Sequence, residues 1–394
     1  AGGRPAIEDP GDDLMVEMMS VCLGQPVPPE YAPMMREEMG FVSRDVEWPS
    51  SDPTGASEPE GTRPFEPRVL VVGAGASGVV MGARLERLGL DYTIVERSSS
   101  IGGVWRDNRY PGAGVDTPNH AYSFSFVPPH RWSRFFAPQS ELESYISQTA
   151  ARCGVDRRIE FDTEVIGAAW DDDAAHWTVT LRHGQRTEER TVDVLISAIG
   201  QLNVPKTPDI EGMSLFEGRL FHSSEWPDDL DVTGRKVAVV GTGASAMQIV
   251  PAIADRVDSL TVFQRSAQWA RPIPRYQDPI PAGSQWLFEH FPFYAAWFRF
   301  AMLWRYGDGL LPLLRKDPEW PFPERAVNRV NDRHRQEMAD HIVDVLGDRP
   351  DLLDKCMPTY PPYGKRILLD AGWFDTMRRP NVKLVVDAVD RIDA

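Results

Sequence analysis

Two stretches of this chain repeat one pattern that leaves little freedom of fold. RVLVVGAGASG at 68–78 and KVAVVGTGASA at 236–246 each run from branched apolar residues into a glycine-rich turn. A short apolar run of this kind reads as a buried strand. The residues after each turn, GVVMGARLERLG and SAMQIVPAIADRV, recur at helical spacing. A further strand follows each helix, DYTIVER in the first unit and SLTVFQR in the second. Strand, turn, helix and strand in that order build a parallel sheet, so an α/β chain with two such sheets is expected.

The turns also carry chemistry. In the first, Gly73 allows a tight turn, Gly75 lets the backbone approach a pyrophosphate, and Gly78 permits close helix–strand packing. The helix N-terminus then offers N–H groups and a positive dipole end to phosphate. Glu96 closes the next strand, where a carboxylate can accept both hydroxyls of an adenosine ribose. The second turn has Gly241, Gly243 and Ala246, with Gln264 in the place of Glu96 and Arg265 after it. A carboxylate repels a ribose 2′-phosphate and a guanidinium binds it. Arg97 also follows Glu96, so the loss of the acid is what discriminates. The first site is therefore expected to take FAD, whose ribose 2′-hydroxyl is free, and the second NADPH. Arg265 and Ser266 are assigned to the second cofactor, with Thr242, Gly243 and Gln248 near its pyrophosphate or amide. Two such sites imply that NADPH reduces a bound flavin, which then carries the difficult chemistry.

The rest of the chain narrows the class. Its 394 residues allow two domains or more. A net charge of −16 disfavours phosphate backbones, so no nucleic-acid partner is expected. Cys22, Cys153 and Cys356 are isolated, which fits a reducing, cytoplasmic setting. FPFYAAWFRFAMLW at 291–304 is too short to span a bilayer and contains Arg299, so it reads as a packing helix, with no membrane partner. His334 and His341 lack metal-ligand spacing and are expected at the surface, and no metal site is expected.

The organisation expected is a helical N-terminal extension over 1–46 and a Pro-, Gly- and Ser-rich linker over 47–66. An FAD-binding domain follows over 67–205, with an antiparallel excursion that returns to the first sheet at VDVLISAIG. An NADP-binding domain is expected over 206–274 and 357–394, interrupted by a helical insertion over 275–356. The extension is too small to hold a core alone, so it packs on the body or on a second subunit, leaving a homodimer open. The chain starts without Met and stops in strand-like alternation, so a longer protein is expected, in which further residues complete the FAD domain.

The connector between the two units, FEGRLFHSSEWP at 216–227, is the most specific stretch. It resembles the fingerprint of type I Baeyer–Villiger monooxygenases, with Phe216, Gly218, His222, Trp226 and Pro227 in register. GGVWRDNRYPGAGVD at 102–116 resembles that family's other pattern, at Gly103, Trp105, Tyr110, Pro111, Gly112 and Asp116. The likeness covers 66–394. The N-terminal extension and residues 304–335 are most similar to the 4-hydroxyacetophenone monooxygenase subgroup.

The resemblance implies two Rossmann-like domains and an NADPH- and O2-dependent insertion of oxygen beside a ketone carbonyl. An ester or lactone would form through a C4a-peroxyflavin and a Criegee adduct. It implies that Arg366, in YPPYGKRILL, stabilises the anionic oxygen, that Asp116 orients Arg366, and that Lys365 reaches the NADP phosphate. It also implies that Gly103, Val104 and Trp105 wall the FAD. His222 lies in a domain connector and is expected to act as a structural or hinge group rather than a base. Flavin N- and S-oxygenating relatives carry Tyr or Phe where Trp226 stands; such an enzyme, or an inactive nucleotide-binding fragment, is the alternative. Aryl or bulky cyclic ketones are the substrates the subgroup suggests.

Overall fold

The computed structural model describes residues 7–43 and 66–393. The linker expected over 47–66 lies outside the described residues apart from Glu66. The chain opens with helices α1 (Gly11–Leu23) and α2 (Ala32–Glu38). The first unit then runs β1 (Val69–Val72), α3 (Ala76–Arg87), β2 (Tyr92–Val95), α4 (Val104–Asp107), α5 (Gln139–Arg152) and β3 (Ile159–Glu160). An antiparallel sheet of β4 (Glu164–Asp171), β5 (His176–His183) and β6 (Arg186–Val192) follows. The chain returns through β7 (Val194–Ser197), which pairs in parallel with β1 and completes a sheet of order β3-β2-β1-β7.

The unbroken apolar run of β1 is explained by cover on both faces. Val69, Val71 and Ile94 pack with Val79, Leu142 and Ile146 on the helical side. Leu70 and Val95 pack with Val179, Leu181 and Val192 of the antiparallel sheet. Each fully buried aliphatic side chain contributes about 1.5–3 kcal/mol through area removed from water.

The second unit runs β8 (Lys236–Val240), α6 (Ala244–Ile253), β9 (Ser259–Phe263) and β10 (Ala270–Pro272). Helices α7 (Ala282–His290), α8 (Tyr294–Tyr306), α9 (Leu311–Leu314), α10 (Arg329–Leu346) and α11 (Pro350–Cys356) come next. The unit closes with β11 (Leu368–Asp370), α12 (Trp373–Met377) and β12 (Val382–Val385). Its parallel sheet has the order β12-β9-β8, while β10 pairs with β11 apart from it. The molecule is thus of mixed α/β class with two Rossmann-like domains.

The helices of 275–356 go to three places. Met338, Ile342 and Leu346 of α10 and Leu352 and Cys356 of α11 enter the core of the second unit. Phe288 of α7 packs against the first core. Phe300 of α8 meets Met15, Met19 and Met35 of the N-terminal pair, so the extension packs on the body. Among the described residues no helix is long and apolar enough to cross a membrane, and no cluster of side chains suited to a metal ion occurs.

Two histidines depart from expectation. His334 is buried, because the inward stripe of α10 recurs as Asn331, His334, Met338 and Ile342. Burial holds its pKa below the usual imidazole value. His341 is partly buried, with Nε2 2.7 Å from Asp370 Oδ2.

Candidate active site

The first glycine turn is enclosed by its own chain. Gly73 takes a φ of +102°, which only glycine adopts without strain. A methyl on Gly78 would sit 1.9 Å from the Gly73 carbonyl oxygen, so α3 can approach the turn only with glycine there. Gly75 lies against Gly103, where a methyl would come 3.0 Å from the Gly75 Cα. Segment 102–107, with Val104 and Trp105, is thereby laid beside the loop. Glu96 is buried and accepts bonds from the Ala74 N–H at 2.8 Å and the Ser98 N–H at 2.9 Å, and the buried Arg106 lies 3.5 Å away. The carboxylate holds the loop while keeping lone pairs for further donors.

The second turn is open by contrast. A methyl on Gly241 or Gly243 would meet nothing within 4 Å. Gln264 is buried and donates to the Lys355 carbonyl oxygen at 2.6 Å, whereas Arg265 is exposed. The Thr242 hydroxyl donates to the Ser266 carbonyl oxygen at 3.2 Å, and Lys365 Nζ bonds the Ser266 hydroxyl. The fold thus gathers Thr242, Ser266 and Lys365 at one place. Both turns fit a dinucleotide: each is a side-chain-free approach to a helix N-terminus, at Ala76 and at Ala244.

Residues 110–116 bridge the two units. A methyl on Gly112 would lie 2.6 Å from the Gln248 carbonyl oxygen, so this segment rests directly on α6. The Tyr110 hydroxyl donates to Gln248 Oε1 at 2.9 Å, and Gln248 Nε2 donates to the Gly114 carbonyl oxygen at 2.8 Å. Gln248, expected on the NADP pyrophosphate or amide, therefore ties the units together in this structure. The Tyr276 hydroxyl donates to the Val115 carbonyl oxygen at 2.7 Å.

A cleft of about 200 Å³ opens here, lined by Gly112, Asp116, Ala244, Gln248, Tyr276 and Leu368. Asp116 forms an ion pair with Arg366. Residues 116 and 366 are distant in sequence and meet only through the fold. The Arg366 side chain is 61% exposed, so its guanidinium keeps donors for a ligand. Tyr276 is pushed up to about 12 by burial and then by the Asp116 charge, so it stays a neutral hydroxyl at neutral pH. Nothing in the sequence pattern marked Tyr276. Its importance rests on a long-range bond. Burial pushes all three thiols up, Cys356 to about 12, so none is an activated nucleophile.

The connector's spacing now has a local account. Gly218 lies under the Phe216 ring, where a methyl would come 2.6 Å from it. His222 caps the short turn Ser223–Glu225, its Nδ1 accepting the Ser224 N–H at 3.2 Å. Trp226 packs against the second core, edge-on to Phe221 at 5.3 Å.

Comparison with known proteins agrees with this architecture. The profile of the flavin-binding monooxygenase-like family matches residues 66–278, and the chain belongs to that family. It is 42% identical over 394 residues to the monooxygenase y4iD of Sinorhizobium fredii, and 37% identical over 327 residues to a Baeyer–Villiger monooxygenase of Streptomyces coelicolor. All of this chain matches the first and 82% of it the second. The chain spans 58% and 59% of the length of these two relatives. Among solved structures, OTEMO in complex with FAD and NADP is similar at a TM-score of 0.68 and 28% identity, covering 82% of this chain and 67% of that one. Steroid monooxygenase bound to NADP gives 0.67 and 29%, covering 83% and 67%.

Proposed function

We propose that this chain carries the two nucleotide sites of an FAD-containing, NADPH- and O2-dependent Baeyer–Villiger monooxygenase acting on a ketone. The first turn, with Gly73, Gly75, Gly78 and the buried Glu96, would hold FAD, walled by Gly103, Val104 and Trp105. The second, with Thr242, Gly243, Arg265, Ser266 and Lys365, would hold NADPH. Relatives and neighbours that carry these cofactors support the assignment. The observation that carries the reading is the ion pair of Asp116 and Arg366 beside the cleft between the two units.

When bound and reduced, the flavin supplies two-electron activation of oxygen. Arg366 presents a permanent positive charge, which favours an anionic oxygen over a neutral one. Asp116 holds that guanidinium in one orientation. Tyr276 and Gln248 fix the backbone of 110–116 that carries Asp116. His222, used as a turn cap, keeps the connector's shape rather than moving a proton. The N-terminal extension and residues 304–335 are the features that favour the 4-hydroxyacetophenone monooxygenase subgroup, and hence aryl or bulky cyclic ketones.

The test supplies NADPH, FAD and a panel of aryl methyl and cyclic ketones, scoring ester or lactone after subtraction of peroxide release. Product is expected from wild type. Arg366→Ala should lower kcat at least about 100-fold while NADPH still reduces the flavin. N- or S-oxides alone, over a panel of amines and thioethers, would favour an N- or S-oxygenase and defeat the proposal.

A further inference from the structure

The N-terminal extension meets the body at α8, and one side chain of α8 carries the contact further. Arg299 is 15% exposed, with its Nε 3.1 Å from Glu38 Oε1 on α2. Its Nη1 donates to the carbonyl oxygens of His120 at 2.8 Å and Ser123 at 2.9 Å, and to the Ser123 hydroxyl at 2.7 Å. One guanidinium thus joins the extension, the helical layer and the turn around 120–123. Lysine carries a single charged nitrogen, so it cannot keep one nitrogen beside Glu38 and another on the 120–123 turn.

The turn leads to the first nucleotide site. Tyr122, between the two carbonyls that Arg299 holds, accepts a bond from Trp105 Nε1 at 2.9 Å, and the two rings meet edge-on at 5.8 Å. Trp105 follows Gly103, which touches Gly75 of the first turn. The path from Glu38 to the glycine loop runs through an ion pair, hydrogen bonds from Arg299 Nη1 and from Trp105, and the backbone contact of Gly103 with Gly75. Its charged members, Arg299 and Glu38, are half-buried, so water screens their attraction only in part. Burial raises the Glu38 carboxyl and the Arg299 charge opposes that rise.

We propose that Arg299, braced by Glu38 of the N-terminal extension, is a positioning residue for the flavin site. It fixes the 120–123 turn and, through Tyr122, the Trp105 wall. This rests on reading the first turn as the FAD site, so the test needs one readout without flavin.

Arg299→Gln, Arg299→Lys and Glu38→Gln are compared in the full chain with Tyr31→Phe. The last removes another contact of the same extension, the Tyr31–Asp308 bond, and leaves the turn alone. Amide hydrogen exchange over 102–107 and 118–124 is measured without cofactor, and FAD affinity by flavin fluorescence. Arg299→Gln should speed exchange in both segments and weaken FAD about tenfold, the effect of losing a charged hydrogen bond. Arg299→Lys should restore part of this, Glu38→Gln should move the same way by less, and Tyr31→Phe should match wild type in both readouts. Faster exchange at 118–124 alone, with FAD affinity kept, would reduce Arg299 to a structural clamp and overturn the proposal. If wild type takes up no FAD, the functional reading falls, while exchange at 102–107 still decides the link.

Discussion

The two nucleotide-type turns share a pattern and a strand order, yet their surroundings are opposite. β3-β2-β1 and β12-β9-β8 are laid out alike, but the first sheet gains β7 and a second cover from the antiparallel sheet. Its loop is hemmed in by Ala198 and Gly103, and its acid is buried. Around the second loop the glycines face open space, Val240 is 57% exposed, and Arg265 lies at the surface. The difference teaches that one motif can stand in two kinds of surroundings, closed in by its own chain at one place and open at the other.

The largest expected effect attacks the enclosed loop. Gly78→Ala forces a methyl into the Gly73 carbonyl and should destabilise the fold by more than about 3 kcal/mol in urea unfolding, with flavin uptake lost. The corresponding second-loop residue is already Ala246, so Gly243→Ala should leave stability within about 1 kcal/mol, a contrast the same unfolding curves would read. Equal losses at the two sites would break the comparison.

Next comes acid. His120 is buried among Phe135, Phe288 and Phe298 beside the first unit, and burial, then the Arg299 charge, lowers its pKa from 6.5 to about 4. As pH falls, the unfolded chain takes up this proton first. The stability is therefore whole above pH 6.5 and is lost progressively between 6.5 and about 4, by up to about 3 kcal/mol. His334 acts in the same direction on the second unit. In His120→Phe the slope of the urea midpoint against pH should flatten over this window, leaving the smaller parts due to His334 and His130, whose pKa values burial also lowers.

A medium effect concerns the open loop. Arg265→Ala should raise the KM for NADPH about tenfold and leave NADH unchanged, since one charge-assisted contact to a 2′-phosphate is removed. Equal losses for both nucleotides would deny Arg265 its selective role. The smallest effect is at the connector. His222→Ala removes a turn cap and should cost about 1 kcal/mol of stability, with the pH profile of turnover unmoved. A profile that loses a limb near neutral pH would return His222 to the proton chemistry.

Much of the fold was legible because it was local. Strand-then-glycine-then-helix is written in consecutive residues, and β1, α3, β2, β8, α6 and β9 stand within a few residues of their expected places. The return of VDVLISAIG to the first sheet was also readable, as an apolar run after polar turns. His334 was misread because a histidine at helical spacing looks the same on either face, and only packing turned it inward. Gln248 was read from its place beside a glycine loop, but its bonds run to Tyr110 and Gly114 on the other unit. Arg299 and Tyr276 had no local signal at all, since their partners lie far away in the chain.

The sequence alone determined the two βαβ units, the acid at the end of one and its loss in the other, because these depend on neighbouring residues and on the steric needs of a tight turn. Only the tertiary structure decided which loop is enclosed, how 110–116 seats on α6, and what the N-terminal helices cover. Those depend on burial and on contacts between distant segments, which carry no signature in the order of residues along either one.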